Sequence, residues 1–132
     1  STRYLSNTEI LSKLRTINPT AYDLIPADVL TAAYQQDFLR QGTTKIVKTS
    51  TGFKLYLNSA IVKSIKYLGY GAATAAAAAV AAAISAATFG IGTATIAAMG
   101  GVAAQVASEI SGSRGVVINF STRGALVSWY QQ

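Results

Sequence analysis

From Tyr67 to Ser108 the chain runs for 42 residues without a charge, in a total of 132. Such a stretch must be buried in protein, packed against another copy or placed in lipid, because nothing ionised holds it in water. Residues 72–87 contain twelve alanines, relieved by Thr74, Val80, Ile84 and Ser85. Alanine is the strongest helix former, so this run predicts a helical arm. Gly90-Ile91-Gly92 breaks it, and a second arm from Thr93 to about Ile110 carries Ile96, Met99, Val102 and Val106. The pattern predicts a long Ala/Gly-rich antiparallel helical hairpin over 59–111, with Gly90 and Gly92 at its turn. Gly69, Gly71, Gly100 and Gly101 are its candidate close-packing points, where missing side chains let helices approach. The arm from Tyr70 to Phe89 would span about 30 Å at roughly 1.5 Å per residue, the thickness of a bilayer's hydrocarbon core.

The flanks of this run change period. Residues 1–42 predict two short helices. In the first, Asn7 is the candidate cap and Ile10, Leu11, Leu14 and Ile17 share a face, until Asn18-Pro19 stops it. The second opens after Pro26 and carries Val29, Leu30, Ala33, Tyr34 and Phe38. Over 43–58 the period drops to two: Lys45–Thr49 and Phe53–Leu57 flank Ser50-Thr51-Gly52, which predicts a β-hairpin. Residues 114–132 predict another, with Ser121–Gly124 as its turn and Phe120, Val127 and Trp129 facing a core. Each hairpin alone is marginal, so the two are expected to join in one antiparallel sheet. Asn58 or Ser59 caps the helix between them, in which Ile61, Ile65 and Leu68 share a face away from Lys63 and Lys66. The expected architecture is a single α+β domain, 1–132.

Charge is arranged in blocks. Eleven basic and five acidic residues give a net charge of +6, and the sequence pI is about 9.8. Six cations, Arg40, Lys45, Lys48, Lys54, Lys63 and Lys66, precede the uncharged run with no acid among them. With Tyr67 and Tyr70 they form the candidate contact set for an anionic membrane surface, where lysine reaches headgroups and tyrosine sits at the interface.

Enzymatic chemistry is not expected. The chain has no cysteine and no histidine, which removes thiol nucleophiles, the usual zinc sites and imidazole acid–base catalysis. Neither a phosphate loop nor a nucleophile elbow is present. The acids have structural explanations: Glu9, Asp23 and Asp28 near helix starts, and Asp37 placed to pair with Arg40 or Lys45. No metal and no cofactor are expected. Lys45, Lys48 and Lys54 interleave with Phe53 and Tyr56, a pattern that can also stack bases, but a 42-residue uncharged hairpin has no place in a nucleic-acid module, so that partner is disfavoured.

The central segment resembles the hydrophobic helical hairpin of pore-forming colicins, which is likewise uncharged and rich in Ala, Gly and Ile. The layout from about residue 45 is similar to small exported bacteriocin-like proteins of Gram-positive bacteria. Lys54-Leu-Tyr-Leu-Asn58, the Gly-rich run, and Ser113-Arg-Gly-Val-Val-Ile-Asn-Phe120 with a short hairpin ending at Gln132 carry the likeness. The resemblance implies a secreted, membrane-active, pore-forming toxin, with anionic lipids as partner, self-association, and an immunity protein. The chain's start at Ser1 fits removal of an export signal. The alternative is a soluble binding or scaffold protein, self-assembling or not, with the hairpin as permanent core.

Overall fold

A computed structural model of the chain describes residues 2–39, 44–68, 91–110 and 114–132. Five strands are present: β1 Thr2–Tyr4, β2 Lys45–Lys48, β3 Gly52–Leu57, β4 Val116–Ser121 and β5 Leu126–Gln131. They form one antiparallel sheet in chain order, so the two expected hairpins do join, through the β3–β4 ladder. Five helices stand among the described residues: α1 Asn7–Ile17, α2 Pro19–Tyr22, α3 Ala27–Leu39, α4 Ser59–Leu68 and α5 Thr93–Glu109.

Pairing register decides which side chains share a face. Ile46, Leu55 and Ile118 stand in one row, Phe53 and Phe120 in a second, Leu57 and Val116 in a third. All seven are buried and join one core with Ile10, Leu11 and Leu14 of α1, Val29 and Ala33 of α3, Ile61, Val62 and Ile65 of α4, and Met99, Ala103 and Val106 of α5. The described residues therefore form two layers, helices on one face of a sheet, as amphipathic elements of both kinds require.

This architecture corrects the expected long helical hairpin. Among the described residues, helices of ten and 17 residues, α4 and α5, take its place. None of the described helices is long and apolar enough to cross a membrane. The reason lies in how α5 spends its apolar residues. Met99, Gly100, Ala103, Ala104, Val106 and Ala107 are buried, with Ile110 at its C-cap, whereas Thr93, Ala97, Gly101, Gln105 and Ser108 are exposed. The helix is thus a one-sided element of a protein core, packed on α4 and on the sheet. The first arm expected over 70–89, with Gly69, Gly71 and Gly90, lies outside the described residues. Gly92, expected at the hairpin's turn, stands at the N-cap of α5.

Caps follow the sequence closely. Ser6, one residue before the expected Asn7, caps α1 by accepting from Glu9 N at 3.0 Å. This frees Asn7 for tertiary work. Its side chain is fully buried, donates to Ala33 O at 2.7 Å and accepts from Asn58 Nδ2 at 2.7 Å. Asn58 Oδ1 also caps α4 by accepting from Ile61 N at 3.0 Å, and the Asn58 backbone N–H donates to Thr44 Oγ1 at 3.0 Å. Asp37 completes the cluster from α3. Instead of pairing with Lys45, its carboxylate accepts from Asn7 N at 2.6 Å, Thr8 N at 2.8 Å and Thr8 Oγ1 at 2.8 Å, and the other expected partner, Arg40, lies outside the described residues. A carboxylate at a helix N-terminus meets both unpaired amides and the positive end of the dipole.

Two glycines are required by close approach. A Cβ on Gly52 would lie 1.9 Å from Phe120 O, inside the β3–β4 ladder. Gly124 has φ +82°, and a Cβ there would lie 2.8 Å from Thr95 O, so the β4–β5 turn rests directly on α5.

Two stability predictions follow from these contacts. Asn58→Ala strands Asn7 Oδ1 and Ile61 N in the core, at a cost of about 2–4 kcal/mol; urea unfolding should show a lower midpoint at unchanged slope. The second concerns the Tyr22–Tyr34 hydroxyl pair at 2.8 Å. Burial, then the hydrogen bond with Tyr22, push the Tyr34 phenol from 10.0 up to about 12. The unfolded chain ionises first, so this contribution is complete below about pH 10 and is lost as pH rises toward 12. Thermal midpoints recorded across that window should fall less steeply for Tyr34→Phe than for the parent.

Candidate functional site

The sheet face turned away from the helices is built from two cross-strand rows. Tyr4, Lys45, Tyr56, Val117 and Tyr130 stand opposite one another in order across all five strands. Thr2, Val47, Lys54, Asn119 and Ser128 form the parallel row beside them. None of these ten joins the core cluster. Tyr4 and Tyr130 are exposed, Lys45, Tyr56 and Lys54 are half-buried, and Val117, between Tyr56 and Tyr130, is 1% exposed.

Lys45 organises the first row. Its ammonium stands 4.6 Å from the ring centroid of Tyr56 and 5.6 Å from that of Tyr4. A cation held over an aromatic face is attracted by the ring quadrupole. The arrangement follows from strand periodicity: Lys45 opens β2, Tyr4 ends β1 and Tyr56 stands directly opposite in β3. The ammonium thus covers one face of each ring, while its remaining protons stay available to an anion.

Charge is segregated between the layers. The five strands hold four cations, Arg3, Lys45, Lys48 and Lys54, and no acid. All five acids belong to the helical side: Glu9 in α1, Asp23 at the end of α2, Asp28 and Asp37 in α3, and Glu109 in α5. Two of the four strand cations, Lys45 and Lys54, stand on the outer face, which carries no acid and is therefore a positive side of an already basic molecule.

The structure distributes the residues that the sequence singled out. Lys45 and Lys54 come together on the outer face, whereas Lys48 is exposed in the core-face row of Phe53 and Phe120. Lys63 and Tyr67 are exposed on α4. Lys66 donates its ammonium to Ile110 O, which clips α4 to the C-cap of α5. The apolar side of α4 is not free to dock on lipid, since Ile61, Val62 and Ile65 are buried. Gly100 is buried in α5, while Gly101 is exposed and a Cβ on it would meet nothing within 4 Å. Arg40, Gly69, Tyr70, Gly71 and Gly90 lie outside the described residues. Sequence reasoning missed Tyr4 and Tyr130 as members of a site. Alternation could have placed Tyr130 with Ser128, but nothing local marked Thr2–Tyr4 as a strand. Among the described residues, no His/Cys/Asp/Glu group could hold a metal.

Comparison of the chain with models of known protein families, with characterised proteins and with solved structures returns no match.

The two face lysines differ in what they touch. Lys45→Met should lower stability by about 0.5–1 kcal/mol through loss of the ring contacts. Lys54→Met should stay within about 0.5 kcal/mol of the parent, as surface substitutions do. Parallel denaturant titrations check both.

Proposed function

We propose that this protein acts at anionic membranes, attaching to them through the outer face of its sheet. The observation that carries the proposal is the segregation of charge: the outer face holds Lys45 and Lys54 and no acid, and every acid is on the helical side. A bilayer with anionic headgroups attracts that face first. Lys45 and Lys54 reach phosphates, and Tyr4, Tyr56 and Tyr130 supply rings whose polar ends suit the headgroup region. Attachment by the sheet replaces insertion of a helical hairpin as the mode of action. The helix that was to form the second arm is folded into the core.

Single-stranded nucleic acid is the competing anion. Stacking platforms need free ring faces, and Lys45 already covers one face of each of Tyr4 and Tyr56. Lipid headgroups need the ammonium and the phenols as they stand, and this favours the membrane.

The test is flotation with phosphatidylcholine vesicles, with and without phosphatidylglycerol, at low and high salt. Binding should require phosphatidylglycerol and fade with salt. Each lysine near an anionic surface contributes about 1 kcal/mol, so Lys45→Glu with Lys54→Glu should cut partitioning about a hundredfold or more. Equal binding by parent and double variant would exclude this face. Capture of oligonucleotides without vesicle binding would reassign it to nucleic acid.

A further inference from the structure

The two edges of the sheet differ in how they are protected. β1 is three residues long and carries Arg3, whose guanidinium is held by Tyr4 O at 2.8 Å and by Glu9 at 3.4 Å. Short length and a charge are the usual devices against edge pairing. β5 has neither. It is six residues, Leu126 to Gln131, with no charge and no proline. Its exposure is unusual too: Leu126 is 45%, Val127 67%, Trp129 37% and Tyr130 47% exposed. These are four of the seven exposed large hydrophobic residues among the described ones, in a single strand. Register places Leu126 and Trp129 on the helix side, opposite Phe120 and Ile118, but the helical layer leaves both partly uncovered. Val127 is the extra residue where the ladder shifts between Asn119 and Phe120.

We propose that β5 is the dimerisation edge of this protein, pairing antiparallel with β5 of a second copy. An isologous contact needs a self-complementary patch, and an uncharged strand supplies one. A two-fold axis normal to the sheet, passing beside Trp129, sets each Trp129 opposite its own equivalent on the helix side. The same axis sets Tyr130 opposite Ser128 of the second copy on the outer face. Both helical layers then stay on one side, and the two sheets become one of ten strands. The uncovered parts of the four side chains amount to about 400 Å² per copy, or about 800 Å² for a pair. Adding the strand backbones brings the contact to about 1,000 Å², where specific interfaces begin. The pair is accordingly expected to form at micromolar concentrations rather than to be permanent.

This inference deepens the membrane reading without depending on it. Pairing would place two lysine–tyrosine faces side by side on one surface, which multiplies attachment to a bilayer. The two associations respond oppositely to salt. Two molecules of charge +6 repel, so dimerisation strengthens as salt screens them, whereas attachment to anionic lipid weakens.

Sedimentation velocity without lipid tests the proposal, from about 1 to 100 µM at low and high salt. The expected result is a monomer–dimer equilibrium that shifts toward dimer with salt. Val127→Lys, at the most exposed of the four positions, should weaken it at least tenfold. Thr2→Lys on the opposite edge should leave it unchanged. Circular dichroism of both variants must match the parent. A monomer at every concentration and salt would overturn the proposal, as would a dimer indifferent to Val127→Lys. Vesicle flotation of Val127→Lys separates the two readings. Retained lipid binding by a monomeric variant leaves the outer face as the membrane site, and sedimentation of Lys45→Glu with Lys54→Glu reports the dimer when lipid binding is lost.

Discussion

The hydrogen bond between the buried side chains of Asn7 and Asn58 joins residues 51 positions apart and determines where the helices stand on the sheet. Asn7 opens α1 and also holds the Ala33 carbonyl of α3. Asn58 leaves β3, caps α4 and is itself held by Thr44 at the approach to β2. Four elements meet at two amides, with Asp37 and Ser6 satisfying the start of α1 around them. No described buried side-chain nitrogen or oxygen is left without a partner. A network of this kind favours one arrangement strongly, because any shift of a helix strands a buried polar group. It explains how a chain with modest side chains in α5 can still hold a unique packing.

With the helices fixed on one face, the other face of the sheet is left to the remaining alternation of each strand. That alternation is chemically uniform: lysine, tyrosine, small polar residues and valine, without an acid. The same geometry turns the apolar faces of α4 and α5 inward. Ile61 and Ile65 in α4, and Met99 and Val106 in α5, belong to the core. Among the described residues, the lysine–tyrosine face of the sheet and the uncharged β5 edge are turned away from that core.

Much of this was legible in the sequence. Both β-hairpins, α1, α3 and α4 follow from period and turn residues, and the ends of α5 from Gly92 and Ile110. The error lay in treating the uncharged run as one unit. Absence of charge says that a segment avoids water, not what it packs against. Within α5, Ile96, Met99, Ala103, Val106 and Ile110 recur at core spacing, and that finer pattern marks a helix buried on one side. Val127 and Trp129 were expected to face inward. The bulge at Val127 breaks the alternation, and Trp129 sits beyond the reach of full cover by the helices. β1 and α2, of three and four residues, are set by tertiary pairing and by the Asn18 cap, which short windows do not reveal. The Asn7–Asn58 contact was hidden because an asparagine at a helix start is already explained as a cap. On the site, Lys45, Lys54 and Tyr56 could be named from the sequence, but their alignment with Tyr4 and Tyr130 required the register.

The central claim is that the outer face of the sheet, not the helical side, meets the membrane. The chain has no cysteine, so a single nitroxide can be placed at Ser128→Cys on that face or at Ser12→Cys on α1. Power-saturation measurements of each label on vesicles containing phosphatidylglycerol compare access to oxygen and to a water-soluble nickel chelate. The account predicts that the label at 128 loses access to nickel and gains oxygen on binding, while the label at 12 stays in water. Burial of the label at 12 with the label at 128 still solvent-exposed would contradict it.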